Sequence, residues 1–102
     1  MAKCKACDKG GLFQKVSREG LCAECAPVVT ADIEKQSNEI YEAMHEFERA
    51  TNRGDKLAHC DRVIAAARYL LRYEDKGLQT CSPPAKLVLD EYTGFREECA
   101  RA

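Results

Sequence analysis

Four cysteines near the start of the chain, Cys4, Cys7, Cys22 and Cys25, form two C-x2-C pairs separated by fourteen residues. Two residues between thiols let one turn present both sulfurs to the same ion, and a returning hairpin brings up the second pair to complete a tetrahedron. An all-thiolate tetrahedron suits Zn2+, and iron is the other ion such a site accommodates. Four protein ligands leave no open position for water or substrate, so one structural Zn2+ per chain is expected. Zinc binding contributes about 10–16 kcal/mol in finger peptides near neutral pH, as much as the whole stability of a typical domain, about 5–15 kcal/mol. A finger whose apolar set is Leu12, Phe13, Val16 and Leu21 needs that contribution to fold.

The remaining thiols carry no comparable pattern. Seven cysteines are an odd number, and with four of them in C-x2-C pairs the composition points to metal in a reducing cytosol and away from a disulfide framework. Cys60 and Cys99 fall on apolar stripes and are expected as core thiols, while Cys81 lies in a loop. Neither C-x2-C pair sits in a βαβ pattern, which argues against thioredoxin-like redox chemistry. The stretch His45-Glu46-Phe47-Glu48-Arg49 begins as a zincin helix would, but Arg49 stands where the second histidine is required. No Ser-His-Asp set, phosphate-binding glycine loop or acid dyad is present, and the chain is expected not to be an enzyme.

The elements that must position the thiols follow from periodicity. Leu12-Phe13-Gln14-Lys15-Val16 reads as a short strand and Ser17-Arg18-Glu19-Gly20 as the turn returning the chain to Cys22. From Pro27 the pattern becomes helical. Val29, Ile33, Ile40, Met44 and Phe47 mark one stripe, with Pro27 in the first turn and Thr30 as an alternative N-cap. Gly54 is expected to end that helix and Asp55 to cap the next, whose stripe is Leu57, Cys60, Ile64, Ala67 and Leu71. Ser82-Pro83 reads as an N-cap and first helical residue of a third helix with Val88, Tyr92, Phe95 and Cys99 on its inner face. The expected fold is mainly α: a four-cysteine treble clef or zinc ribbon over residues 1–26, then a three-helix antiparallel domain over residues 27–102. Its core is expected to hold Ile40, Phe47, Ile64, Leu71, Val88 and Phe95.

Charge narrows the partners. The formal net charge is −1, unlike a protein that binds nucleic acid by bulk electrostatics. The finger's five basic and three acidic residues become nearly neutral once four thiolates hold a divalent ion. The first helix is acidic and reads as a solvated face. The second is the basic one, and Arg62, Tyr69, Arg72 and Tyr73 lie on one broad face, which reads either as Tyr rings covering core edges with Arg stems alongside or as its candidate partner-binding face. No apolar run can span a bilayer and no apolar leader core follows the early lysines, so a cytoplasmic protein is expected.

The segment CKACDKGGLFQKVSREGLCAEC resembles the finger at the head of a group of small bacterial proteins, in which CxxCGKxGLF leads to GLCxxC. CDRVIAAARYLLRYEDKGLQTCSPP resembles the second helix of that group and its exit, so the likeness covers most of the chain. Asp8 stands where the group commonly has glycine. The resemblance implies zinc on Cys4, Cys7, Cys22 and Cys25 and a helical tail, and it brings no activity or substrate. The expected function is a non-enzymatic zinc interaction module, a bacterial cytoplasmic adaptor or regulator that binds another protein or a second copy of itself. The alternative is a nucleic-acid-associated regulator using the finger lysines and the basic second helix.

Overall fold

The computed structural model describes residues 3–7, 18 and 20–101. Helices are the only extended elements among them: α1 (Cys25–Arg49), α2 (Arg53–Glu74) and α3 (Ala85–Arg101). The expected strand at residues 12–16 lies outside the described residues. The molecule measures 57 × 19 × 16 Å, with a radius of gyration of 16.5 Å. A compact chain of this length has about 13 Å. The difference is an elongated arrangement, with the cysteine end of α1 and the far end of α3 at opposite poles.

α1 starts earlier than its sequence signals suggest. Its first residue is the ligand candidate Cys25, and Ala26 N donates to Cys22 O at 2.9 Å, so the second cysteine turn runs straight into the helix. Pro27 is then the third helical residue, where a missing N–H costs no intrahelical bond. Thr30 is an exposed residue inside α1, not a cap.

The break between α1 and α2 also falls upstream of its expected place. Ala50 is extended, and Asn52 caps α2: its Oδ1 accepts from Asp55 N at 2.8 Å while its Nδ2 donates to the Asp55 carboxylate at 2.9 Å. Asp55 is therefore the third residue of α2, and Gly54 lies within the first turn with ordinary backbone angles. The Asn–Asp pair satisfies an orphan helix amide and places a carboxylate in the positive first turn, so one pair of side chains does both jobs.

α3 departs from expectation for a similar reason. Ser82 does not cap it. The Glu74 carboxylate, at the end of α2, accepts from Ala85 N at 2.7 Å and Lys86 N at 3.1 Å, and also from the Thr80 hydroxyl. A carboxylate can accept from two amides and carries a full charge at the positive end of the helix. A serine hydroxyl carries no such charge, and the helix begins at Ala85.

α2 is the central helix, packed on α1 and on α3. Its buried residues are Cys60, Val63, Ile64, Ala66, Ala67 and Leu70, a wider face than the single stripe read from sequence. Leu70, fully buried, takes the core position expected for Leu71, which is half-buried. A helix with partners on two sides needs two apolar stripes, and the small Ala66 and Ala67 let its neighbours approach closely. Ile40, Ile64 and Val88 are buried as expected. Phe47 and Phe95 are half-buried and close the far end of the core: Phe47 stacks on Phe95 at 5.7 Å and meets the edge of Tyr92 at 5.5 Å.

A second cluster joins the cysteine end to the helices. Cys4, Leu21, Cys22, Val29 and Leu78 are buried together, and Ile33 and Tyr73 pack against both this cluster and the main core. The cysteine end and the helical body thus share side chains.

Candidate metal centre

The local chain path explains how four distant thiols converge. Lys5 N donates to Gly20 O at 2.8 Å, tying the first cysteine turn to the approach of the second. Gly20 makes this approach in the left-handed region, φ +87°, with the Lys5 side chain lying where a Cβ would be. Leu21 and Cys22 then turn inward, and α1 begins at Cys25.

The sulfurs of Cys4, Cys7, Cys22 and Cys25 all lie within 4.8 Å of one another, and Cys7 Sγ and Cys22 Sγ are 3.9 Å apart. A tetrahedral zinc site with Zn–S near 2.3 Å has sulfurs about 3.8 Å apart. Cys4 and Cys22 are buried, Cys25 is half-buried and Cys7 is exposed at the rim. The four cysteines read from sequence as candidate ligands are thus brought together, and they are the sole group of three or more His, Cys, Asp or Glu that could hold a metal ion among the described residues.

The electrostatics of the four thiols suit a cation. Backbone amides of Cys22 and Cys7 hold the Cys4 thiol down to about 6. Hydrogen bonds to the Cys22 and Cys7 sulfurs push the Cys25 thiol up to about 12. One proton donor among mutual acceptors is what four crowded sulfurs can achieve alone, because four adjacent thiolates would repel. A divalent ion removes that conflict, and the start of α1 at Cys25 adds the positive end of a helix beside the thiolates. The donor set fits zinc, which would be held by four sulfurs and would supply cross-linking of the fold with no free coordination position.

The other cysteines stay outside this centre. Cys60 is fully buried, and burial pushes its thiol up to about 11. Cys81 is half-buried, its thiol raised by burial, and Cys99 is half-buried on α3.

The candidate partner residues of α2 are engaged within the molecule. Arg62 Nε donates to Glu39 at 2.7 Å and its Nη1 to Glu46 at 2.5 Å, so two α1 carboxylates neutralise this arginine. Tyr69 and Tyr73 both donate to Asp32 Oδ2, each at 2.5 Å. Arg72 lies over the Tyr69 ring, 4.6 Å from its centre, and remains exposed. The acidic run on α1 is in part the partner of α2 and not only a solvated face. Sequence reading saw each helix's charge but not their register, and that register cannot be read from either helix alone.

Three connections escaped sequence reading altogether. Lys5 Nζ donates to Gly77 O, Lys76 Nζ donates to Ala6 O, and Leu78 packs against the cysteines. Gly77, φ +84°, was the one available signal, since a glycine just beyond a helix marks a left-handed turn. Comparison with known protein families, curated proteins and solved structures returns no match for the chain.

Proposed function

We propose that this chain is a non-enzymatic interaction module built on one structural zinc ion of the treble-clef type, an adaptor or regulator that binds another protein. The observation that carries this reading is the cysteine cluster itself: four sulfurs within 4.8 Å of one another, two of them buried, at the root of the longest helix. Such a site cross-links and does not catalyse. The helix beginning at Cys25 favours a treble clef over a zinc ribbon. Likeness to the bacterial finger group supports a bacterial, cytoplasmic setting, and no helix among the described residues is long and apolar enough to cross a membrane.

Internal pairing of charge favours a protein partner over nucleic acid. Arg62, Lys5 and Lys76 donate to groups of this same chain. A partner docking on the α2 face would use Arg72 and the outer side of the Tyr69 ring. The test is retention of proteins from an extract of the source cells on immobilised, zinc-loaded chain. A defined protein retained through nuclease treatment and raised salt, and released by chelation, is the expected result. Retention of nucleic acid alone, falling steeply with salt, would replace this reading with the nucleic-acid one.

A further inference from the structure

A cleft of about 320 Å³ lies between α1 and the segment after α2, lined by Leu21, Ile33 and Leu78 on its apolar side and by Thr30, Glu34 and Asn38 on the α1 side. Ser37 also lines it, is only 9% exposed, and its Oγ has no hydrogen-bond partner among the described residues. Serine inside a helix commonly satisfies its hydroxyl on the carbonyl four residues back. Here it does not, and a buried hydroxyl left unpaired is unfavourable unless something else completes it. A second cleft of about 830 Å³ shares Leu78, Gln79 and Thr80 with the first and continues to Tyr41, which is 46% exposed. From Thr30 to Tyr41 the α1 wall is about 16 Å long at 1.5 Å per residue, room for about five residues of extended chain. That is longer than a compact small molecule requires.

Charge selects the occupant. Among the described residues lining the two clefts, Glu34 and Glu74 are the carboxylates, and none is Lys, Arg or His. Glu74 is committed to capping α3, which leaves Glu34 on the rim to meet an incoming charge. We infer that this groove receives an extended segment of a partner protein, an apolar side chain seating on Leu21, Ile33 and Leu78, a backbone group completing the Ser37 hydroxyl, and a flanking lysine or arginine meeting Glu34. The inference rests on the protein-interaction reading and names the surface and the chemistry of its partner. Because Leu21 and Leu78 also pack against the cysteines, the floor of the groove is held by the metal centre.

The test uses the full zinc-loaded chain, labelled with 15N, titrated with acetyl-Gly-Arg-Leu-Arg-Gly-amide and with the counterpart carrying Glu in place of both Arg. Saturable shifts at Ile33, Ser37, Leu78 and Thr80 are expected with the basic peptide, and affinity about five-fold or more lower with the acidic one. Ser37→Ala should leave the unfolding midpoint unchanged or higher, since it removes an unpaired hydroxyl, and should weaken the basic peptide about two- to ten-fold. Glu34→Lys should abolish the preference between peptides without loss of fold. No saturable shift at these residues, equal affinity for the two peptides, or a lowered midpoint for Ser37→Ala would each overturn the groove assignment. Peptide failure with a partner still retained from extract defeats the groove alone. Peptide binding with no protein retained from extract defeats the adaptor reading and leaves the groove standing.

Discussion

Lys5 Nζ, on the turn between the first two cysteines, donates to the carbonyl oxygen of Gly77 beyond the end of α2, at 3.1 Å. Lys76 Nζ answers with a hydrogen bond to Ala6 O at 2.9 Å. These crossed contacts, with Leu78 buried against Cys4 and Cys22, make the cysteine end and the α2–α3 connection one unit. Zinc removal should therefore loosen residues 76–84 together with the N-terminus. Hydrogen exchange before and after chelation checks this: protection at 76–84 should fall first, while the Phe47–Tyr92 end of the core holds. Unchanged protection at 76–84 would show the two parts to be independent. Lys5→Met should weaken zinc binding about two- to ten-fold through loss of one such bond.

Metal content separates ligands from bystanders. Elemental analysis should find one zinc per chain. Cys4→Ser, Cys7→Ser, Cys22→Ser and Cys25→Ser should each lower zinc affinity sharply, since each removes one of four donors. Cys60→Ala, Cys81→Ser and Cys99→Ala should keep full zinc, and two zincs per chain would reveal a second site. Cys60→Ala should in addition lower stability by about 1 kcal/mol, because the thiol it removes is fully buried.

The four-cysteine cluster was legible in the sequence because C-x2-C spacing is a local property that one turn imposes. The helices were legible for the same reason: apolar recurrence at three and four residues reports a face whatever covers it. What escaped depends on contacts far apart in the chain. Asn52 was passed over for Asp55 as a cap because both are good caps, and only the three-dimensional path shows the two acting together. Glu74 caps a helix eleven residues away, an arrangement no local capping rule contains. Tyr73 reads from sequence either as part of a partner surface or as a ring covering the core edge, and the Asp32 carboxylate on α1, which turns it inward, is not legible there. Long polar side chains take their places from what the neighbouring helix offers, and periodicity carries no record of that.

Capping of α3 by Glu74 gives a third prediction. Glu74→Gln retains one acceptor oxygen but loses the second and the charge, so either Ala85 N or Lys86 N loses its partner. Loss of a good N-cap costs about 0.5–2 kcal/mol. Denaturant midpoints with zinc saturated should show a decrease in that range, and amide exchange should quicken at the start of α3. A variant as stable as the parent, with those amides still protected, would mean that Ser82 or water serves equally well.

Truncation at the far end tests the core. Phe47 packs on Tyr92 and Phe95 and lies under the Lys56 ammonium, 4.8 Å from its ring centre. Phe47→Ala should cost about 3 kcal/mol, the low end of the range for aromatic truncation because the ring is half-buried. A loss below about 1 kcal/mol would show that the ring faces solvent and that α1 and α3 are held together elsewhere.

The last prediction concerns Asp32, Tyr69 and Tyr73, where one carboxylate oxygen accepts two phenol protons. The Tyr69 hydroxyl first, and the Tyr73 hydroxyl after it, hold the Asp32 carboxyl below its ordinary value of 3.8. In return the Asp32 carboxylate holds both phenols above their ordinary value of 10.0. A carboxyl lowered on folding contributes stability that is complete above its unfolded value and disappears as pH falls through the folded one. Phenols raised on folding contribute stability present below pH 10 and lost as pH rises through their folded values. Asp32→Asn should therefore flatten part of the decline in stability below pH 4 and part of the decline above pH 10, read as unfolding midpoints of variant and parent at matched pH. The comparison cancels the acid release of zinc common to both proteins. Tyr73→Phe should cost about 1 kcal/mol, the worth of one hydrogen bond. Tyr73→Ala should cost clearly more, because the ring packs against both the main core and the cysteine cluster. Combining Asp32→Asn with Tyr73→Phe should cost less than the two single changes added together, as expected for residues sharing one bond. Strict additivity, with pH profiles parallel to the parent's, would mean that the three side chains do not act together and that α1 and α2 are held near the cysteines by packing alone.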